Sequence, residues 1–95
     1  MAAYVFANVE VTDPAAYEAY RKGVMATITQ YDGRFLVRGG ATEALEGGFV
    51  PKRIVILEFP DVERAKTWWD SPEYRPLREL RQRASRGDLF VVAGV

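Results

Sequence analysis

Apolar and polar residues alternate from Ala3 to Val11, with Tyr4, Phe6, Asn8 and Glu10 on one face and Val5, Ala7, Val9 and Val11 on the other. That is the period of a β-strand. Both faces are partly apolar at the start, so one side is expected to pack on helices while the other meets something besides water. The period then changes. Thr12 or Asp13 followed by Pro14 marks a helix start, and Tyr17, Tyr20, Val24, Ile28 and Tyr31 recur at helical spacing. Asp32-Gly33 is expected to stop this helix, with Gly33 free to take the left-handed conformation. A second strand is predicted from Arg34 to Val37, running into Arg38-Gly39-Gly40 and continuing through Ala41 to Leu45. Two glycines inside a strand pattern suggest a bulge or a close backbone approach. Glu46-Gly47-Gly48 reads as the turn back, and Pro51 precedes the third strand.

The stretch from Arg53 to Leu77, RIVILEFPDVERAKTWWDSPEYRPL, organises the remainder. Ile54, Val55, Ile56, Leu57 and Phe59 form a β-branched and aromatic run interrupted only by Glu58, as suits a central strand covered on both faces. Pro60 cannot donate to a ladder and ends the strand, while Asp61 can cap a helix starting at Val62. Val62, Ala65 and Trp68 or Trp69 turn one stripe of that helix toward the sheet. Adjacent tryptophans differ by about 100° around a helix, so only one of them points squarely inward. Ser71 precedes Pro72 and is expected to cap a second helical segment begun by that proline. There Tyr74, Leu77 and Leu80 carry the apolar face, while Arg75, Arg78, Glu79, Arg81 and Arg83 read as a solvated one. Arg86-Gly87-Asp88 then turns the chain into a last strand, Leu89 to Val95.

The order β-α-β-β-α-β matches an α+β, ferredoxin-like plan: a four-stranded antiparallel sheet with its helices on one face. Right-handed crossovers place the first and third strands in the centre. Residues 1–95 are read as one such domain. With helices on one side only, the apolar residues of the other face need a partner. The expected solution is a homodimer, two sheets packing into a dimeric α/β barrel.

Composition narrows the chemistry. The chain has no cysteine and no histidine, which excludes thiolate nucleophiles, zinc–thiolate sites, imidazole bases and histidine-ligated metals. No metal and no cofactor are expected. Thirteen basic and 13 acidic residues are interspersed, so there is no electrostatic footprint for nucleic acid or for a membrane surface. No stretch approaches the roughly 20 apolar residues that span a bilayer, and the first ten residues read as a strand rather than a signal peptide. A cytoplasmic location is the expectation.

The segments YRKGVMATITQYDGRFLVRGGATEALEG and RIVILEFPDVERAKTWWDSPEYRPLRELR resemble the small bacterial proteins classed as domain of unknown function 1330, within the dimeric α/β-barrel superfamily. The likeness covers nearly the whole chain and is most specific in GRFLVRGG, the LEG turn, EFPDVERA and WWDSPEYRPL. It implies a ferredoxin-like protomer and a face-to-face dimer, and it supplies no reaction. More distant members of that superfamily include cofactor-free monooxygenases, haem-degrading enzymes, isomerases and stress-responsive proteins, among which fold does not decide.

Arg38 is the strongest single candidate for a site, since a guanidinium in an apolar strand beside two glycines must find an acceptor. It either holds the carboxylate or enolate oxygen of a small ligand or forms a buried ion pair with Glu58. Tyr20, Trp68, Tyr74 and Asn8 would bound the same pocket, with Tyr17 and Trp69 in the aromatic cluster. The aromatic cluster also reads as ordinary core, and Asn8 as an interface or water-binding residue. Glu58 and Asp70 are the available carboxylates for a general base. Two functions follow: a dimeric small-molecule-binding barrel, compatible with cofactor-independent oxygenation or isomerisation of an aromatic or enolisable acid, and a non-catalytic structural or stress-associated homodimer with a filled interior.

Overall fold

A computed structural model describes residues 1–95. In chain order the elements are β1 (Ala3–Val11), α1 (Pro14–Gln30), β2 (Arg34–Arg38), β3 (Arg53–Phe59), α2 (Val62–Trp69), α3 (Arg75–Ala84) and β4 (Ser85–Ala93). The strands form one antiparallel sheet in the order β2-β3-β1-β4, so the first and third strands are central, as the crossover rule requires. Three helices cover the face that β1 makes with Val5, Ala7 and Val9, and Tyr17, Ile28, Leu57, Phe59, Trp68 and Ala84 close the core beneath them. No helix is long and apolar enough to cross a membrane.

Local chemistry sets the helix ends. The Asp13 carboxylate accepts from the Ala16 amide at 3.2 Å and the Asp61 carboxylate from the Arg64 amide at 2.7 Å, so both expected caps are present. The helix expected to begin at Pro72 under a Ser71 cap begins instead at Arg75, with Tyr74 before it and no side-chain cap; the Ser71 Oγ accepts from the Tyr74 amide at 3.1 Å and closes the Pro72–Tyr74 turn that leads into α3. At the end of α1 the left-handed residue is Asp32, with φ 66°, and not Gly33. Gly33 serves a different need, since a Cβ there would stand 2.6 Å from the Phe59 ring.

Two strand expectations are corrected. β2 stops at Arg38 and does not resume between Ala41 and Leu45; Gly39 turns the chain with φ 73°, and residues 41–50 are all exposed. That segment has no strand beside it to complete a ladder, so its alternation has nothing to pair with. Arg86-Gly87-Asp88 is not a turn. α3 passes directly into β4 at Ser85, and Gly87 lies opposite Val9 within the ladder. Its φ is 147°, and a Cβ there would fall 1.9 Å from the Asn8 carbonyl oxygen. Glycine at 87 allows a close approach of two backbones.

The sheet face away from the helices carries no cover of its own. The ladder brings Phe6 opposite Ile56 and Phe90, Tyr4 opposite Val92, and Asn8 opposite Ile54. The rings of Phe6 and Phe90 stack at 5.3 Å, yet Phe90 remains 53% exposed and Val92 49%. The expectation that β3 is covered on both faces therefore fails within one protomer, where Ile54 and Ile56 are only half-buried.

Candidate functional site

A cleft lies between the helices and the covered face of the sheet. Val5, Ala7, Val9, Val55 and Leu57 make its floor, and Tyr17, Tyr20, Val24 and Trp68 its walls. It spans about 460 Å³ with its open mouth included, but only about 30 Å³ admits the centre of a water-sized molecule. Space of that size holds one or two waters as it stands. What sets this cleft apart is charge: the guanidiniums of Arg21, Arg38, Arg53 and Arg81 border it, and no carboxylate does.

Arg38 sits here because β2 is bulged between Phe35 and Val37, which returns Arg38 to the helix side opposite Val55. Its Nη2 donates to the Arg21 carbonyl at 2.9 Å, and its guanidinium lies 4.3 Å from the centre of the Phe35 ring. The expected Arg38–Glu58 pair is absent. Register puts Arg34 opposite Glu58, and those two join at 2.7 Å on the other face of the sheet. Glu58 thus lies outside the cleft, and so does Asp70, which pairs with Arg75 and Arg78 on the surface.

Tyr20, Trp68 and Tyr74 do come together. The Tyr20 and Tyr74 hydroxyls bond at 2.9 Å, Trp68 stacks on Tyr74 at 4.0 Å, and the Trp68 indole donates to the Thr27 hydroxyl at 3.1 Å. Tyr20 and Trp68 face the cleft; Tyr74 lies behind them, fully buried. Burial, reinforced by the Tyr74 phenol and only partly offset by Arg81, raises the Tyr20 pKa well above the ordinary phenol value. Tyr20 is consequently a hydrogen-bond donor at neutral pH and not a base. Asn8 is not part of this group. It projects from the opposite face, where its Oδ1 accepts from the Lys52 amide at 2.8 Å.

Sequence reasoning passed over Arg21 and Arg53, and it set Arg81 on the solvated face of α3, where the structure instead turns its side chain, partly buried, toward the cleft. Arg81 belongs to the stripe of α3 that includes Tyr74 and Leu77, and its Nε donates to the Tyr74 hydroxyl at 3.3 Å; helical spacing alone was a usable signal. Arg53 shares the strand alternation of Val55 and Leu57, which places it on the helix side. The Nε atoms of Arg21 and Arg53 are buried without a partner. Arg21 reaches the exposed Glu18 through Nη1 at 3.0 Å, whereas Arg38, Arg53 and Arg81 have no carboxylate within ion-pair distance. Trp69 points outward, 39% exposed, with the Arg78 guanidinium 4.0 Å above its ring.

The sequence profile described as Domain of unknown function (DUF1330) matches residues 2–95. The chain belongs to that family. Among solved structures, a protein of unknown function from Rhodopseudomonas palustris aligns with this DUF1330 chain at TM-score 0.78 and 18% identity, covering 99% of this chain and 82% of its own. SnoaB, a cofactor-independent oxygenase from Streptomyces nogalater, aligns at TM-score 0.62 and 13% identity over 99% of this chain and 92% of SnoaB. A Mycobacterium tuberculosis protein aligns at 0.56 and 20% identity over 100% and 96% of the two chains. At these identities the likeness is one of fold. No curated protein matches the sequence.

Proposed function

We propose that this DUF1330 protein is a homodimeric α/β barrel that binds a small organic anion, an aromatic or enolisable carboxylate, in the cleft between helices and sheet. The observation that carries the reading is the set of guanidiniums around an apolar cleft without one acidic side chain. Partly buried charge without a counter-charge is unfavourable, and a ligand carboxylate supplies one to Arg38, Arg53 and Arg81 and an acceptor to the buried Arg21 and Arg53 Nε atoms. The apolar floor and the Tyr20 and Trp68 rings suit the body of such a ligand. The dimer rests on the uncovered face, where Phe6, Ile56, Phe90 and Val92 need a second sheet.

If turnover accompanies binding, the residues fit cofactor-independent oxygenation or isomerisation in which Arg38 and Arg53 hold a developing oxyanion and the ligand carries the carbanion. The cleft has no base of its own, because Glu58 is across the sheet and Tyr20 keeps its proton. It therefore favours ligands already acidic enough to ionise. The fold likeness to a cofactor-independent oxygenase is in keeping with this chemistry. A second reading, a non-catalytic homodimer with a filled interior, is favoured by the small space in the cleft, about 30 Å³ for the centre of a water-sized molecule.

Native mass spectrometry of protein purified without added ligand separates the two. A small acid retained by the dimer, lost on collisional activation and absent from Arg38→Ala, is the expected result. A ligand-free dimer that also fails to shift in melting temperature with benzoate or other small aromatic acids would leave the structural reading.

A further inference from the structure

The segment Gly39–Lys52 is long for a connection between adjacent antiparallel strands, fourteen residues where two to five are usual. It does not fold onto its own protomer. Residues 41–50 are exposed without exception, and nothing lies within 4 Å of where a side chain would begin at Gly40, Gly47 or Gly48. Nevertheless it carries Leu45, Phe49 and Val50 at 94%, 65% and 68% exposure. Three large apolar side chains on one unsupported loop mark a surface that meets another molecule.

Both stems are fastened. The Gly39 amide donates to the Ile54 carbonyl at 2.8 Å, and the Lys52 amide donates to the Asn8 side chain at 2.8 Å. Asn8 projects from the uncovered sheet face, so the returning stem is hooked to the side that holds Phe6, Ile56 and Phe90 and not to the helix side. The segment is thereby continuous with the face that awaits a second sheet. Its reach is sufficient: half of it, extended at about 3.3 Å per residue, spans roughly 23 Å, more than the roughly 14 Å across four strands.

We infer that Gly39–Lys52 is an exchange arm, which in the dimer lies across the second copy of this chain and buries Leu45, Phe49 and Val50 against it. The inference rests on the homodimer proposed above and adds a contact that sheet-on-sheet packing alone does not require. Asn8 acquires a role as the side chain that aims the arm.

Sedimentation equilibrium over a concentration series tests it on the full chain, with wild type, Leu45→Asp/Phe49→Asp and Asn8→Ala. Leu45 and Phe49 are largely exposed and outside the core, so the double variant retains the fold; an unchanged near-ultraviolet spectrum of the buried Trp68 checks this. The expected result is a dimer whose Kd rises at least about a hundredfold in the double variant, as loss of two buried large apolar side chains implies, and by a smaller factor in Asn8→Ala. Isotope-filtered NOEs in a half-labelled dimer then connect the Phe49 ring to protons of the other copy. A monomeric wild type would remove the dimer and the arm together. A wild-type dimer whose Kd is unchanged by Leu45→Asp/Phe49→Asp, or Phe49 NOEs confined to its own chain, would leave the dimer standing and overturn the arm.

Discussion

The hydroxyls of Tyr20 and Tyr74, 54 positions apart in the chain, share a hydrogen bond of 2.9 Å inside the core. It joins α1 to the turn before α3, next to the Arg81 guanidinium, and it links the packing of the protomer to the wall of the cleft.

Alkaline stability follows from this pair. Burial, then the Tyr74 phenol, raises the Tyr20 pKa in the folded state above the ordinary value of 10.0. The folded protein thus holds this proton where the unfolded chain releases it. The associated stability is fully present below about pH 10 and is lost as pH rises through the folded value. Urea midpoints are expected to be unaffected by this group up to that pH and to fall above it, less steeply in Tyr20→Phe. Equal slopes in the two proteins would show that Tyr20 is not the source.

Tyr74→Phe removes one partner and leaves the Tyr20 hydroxyl short of an acceptor or donor, at an expected cost of about 1–3 kcal/mol. Trp68→Ala should cost about 3–5 kcal/mol, since the indole is buried against Tyr74 and Phe59. Trp69→Ala, at the exposed neighbouring position, should change stability by no more than about 1 kcal/mol. Denaturant titration followed by far-ultraviolet circular dichroism measures all three.

Gly87→Ala is expected to prevent folding or to cost more than about 3 kcal/mol, because the added methyl would occupy the position of the Asn8 carbonyl in the central ladder. Gly47→Ala meets no atom, but its φ of 82° limits alanine, for an expected loss of about 1–2 kcal/mol. Gly48→Ala has neither constraint and serves as the neutral comparison. Melting temperatures that failed to rank in this order would contradict the backbone geometry at β4.

Glu58→Gln and Arg38→Ala separate the two faces of the sheet. The Arg34–Glu58 pair is largely exposed on the arginine side, so Glu58→Gln should cost less than about 1 kcal/mol and leave retained ligand intact. Arg38→Ala is expected to abolish retention. Loss of ligand in Glu58→Gln, read by native mass spectrometry, would return Glu58 to the site.

The sequence by itself determined the element order, the Asp13 and Asp61 caps and the pairing order of the sheet. The elements and caps depend on periodicity, on proline and on short polar residues, all of which act within a few positions of the chain, and the pairing order then follows from the handedness of the crossovers. The association of Tyr20, Trp68 and Tyr74 was legible for the same reason, as each lies on the apolar stripe of its own helix or turn. Register was not legible. A bulge between Phe35 and Val37 decides which face of the sheet Arg38 takes, and one residue of slip exchanges the two faces of a strand. Asn8 is a different case: alternation already sets it with Tyr4 and Phe6, opposite Val5, Ala7 and Val9, and the unshifted ladder of β1 keeps it on that face, away from the cleft. The cluster of Arg21, Arg38, Arg53 and Arg81 comes from four different elements, so no local pattern contains it. Only the packed sheet and helices set four guanidiniums around an apolar cleft without a carboxylate among them, because charge neutrality along a chain places no constraint on neutrality at a point in space.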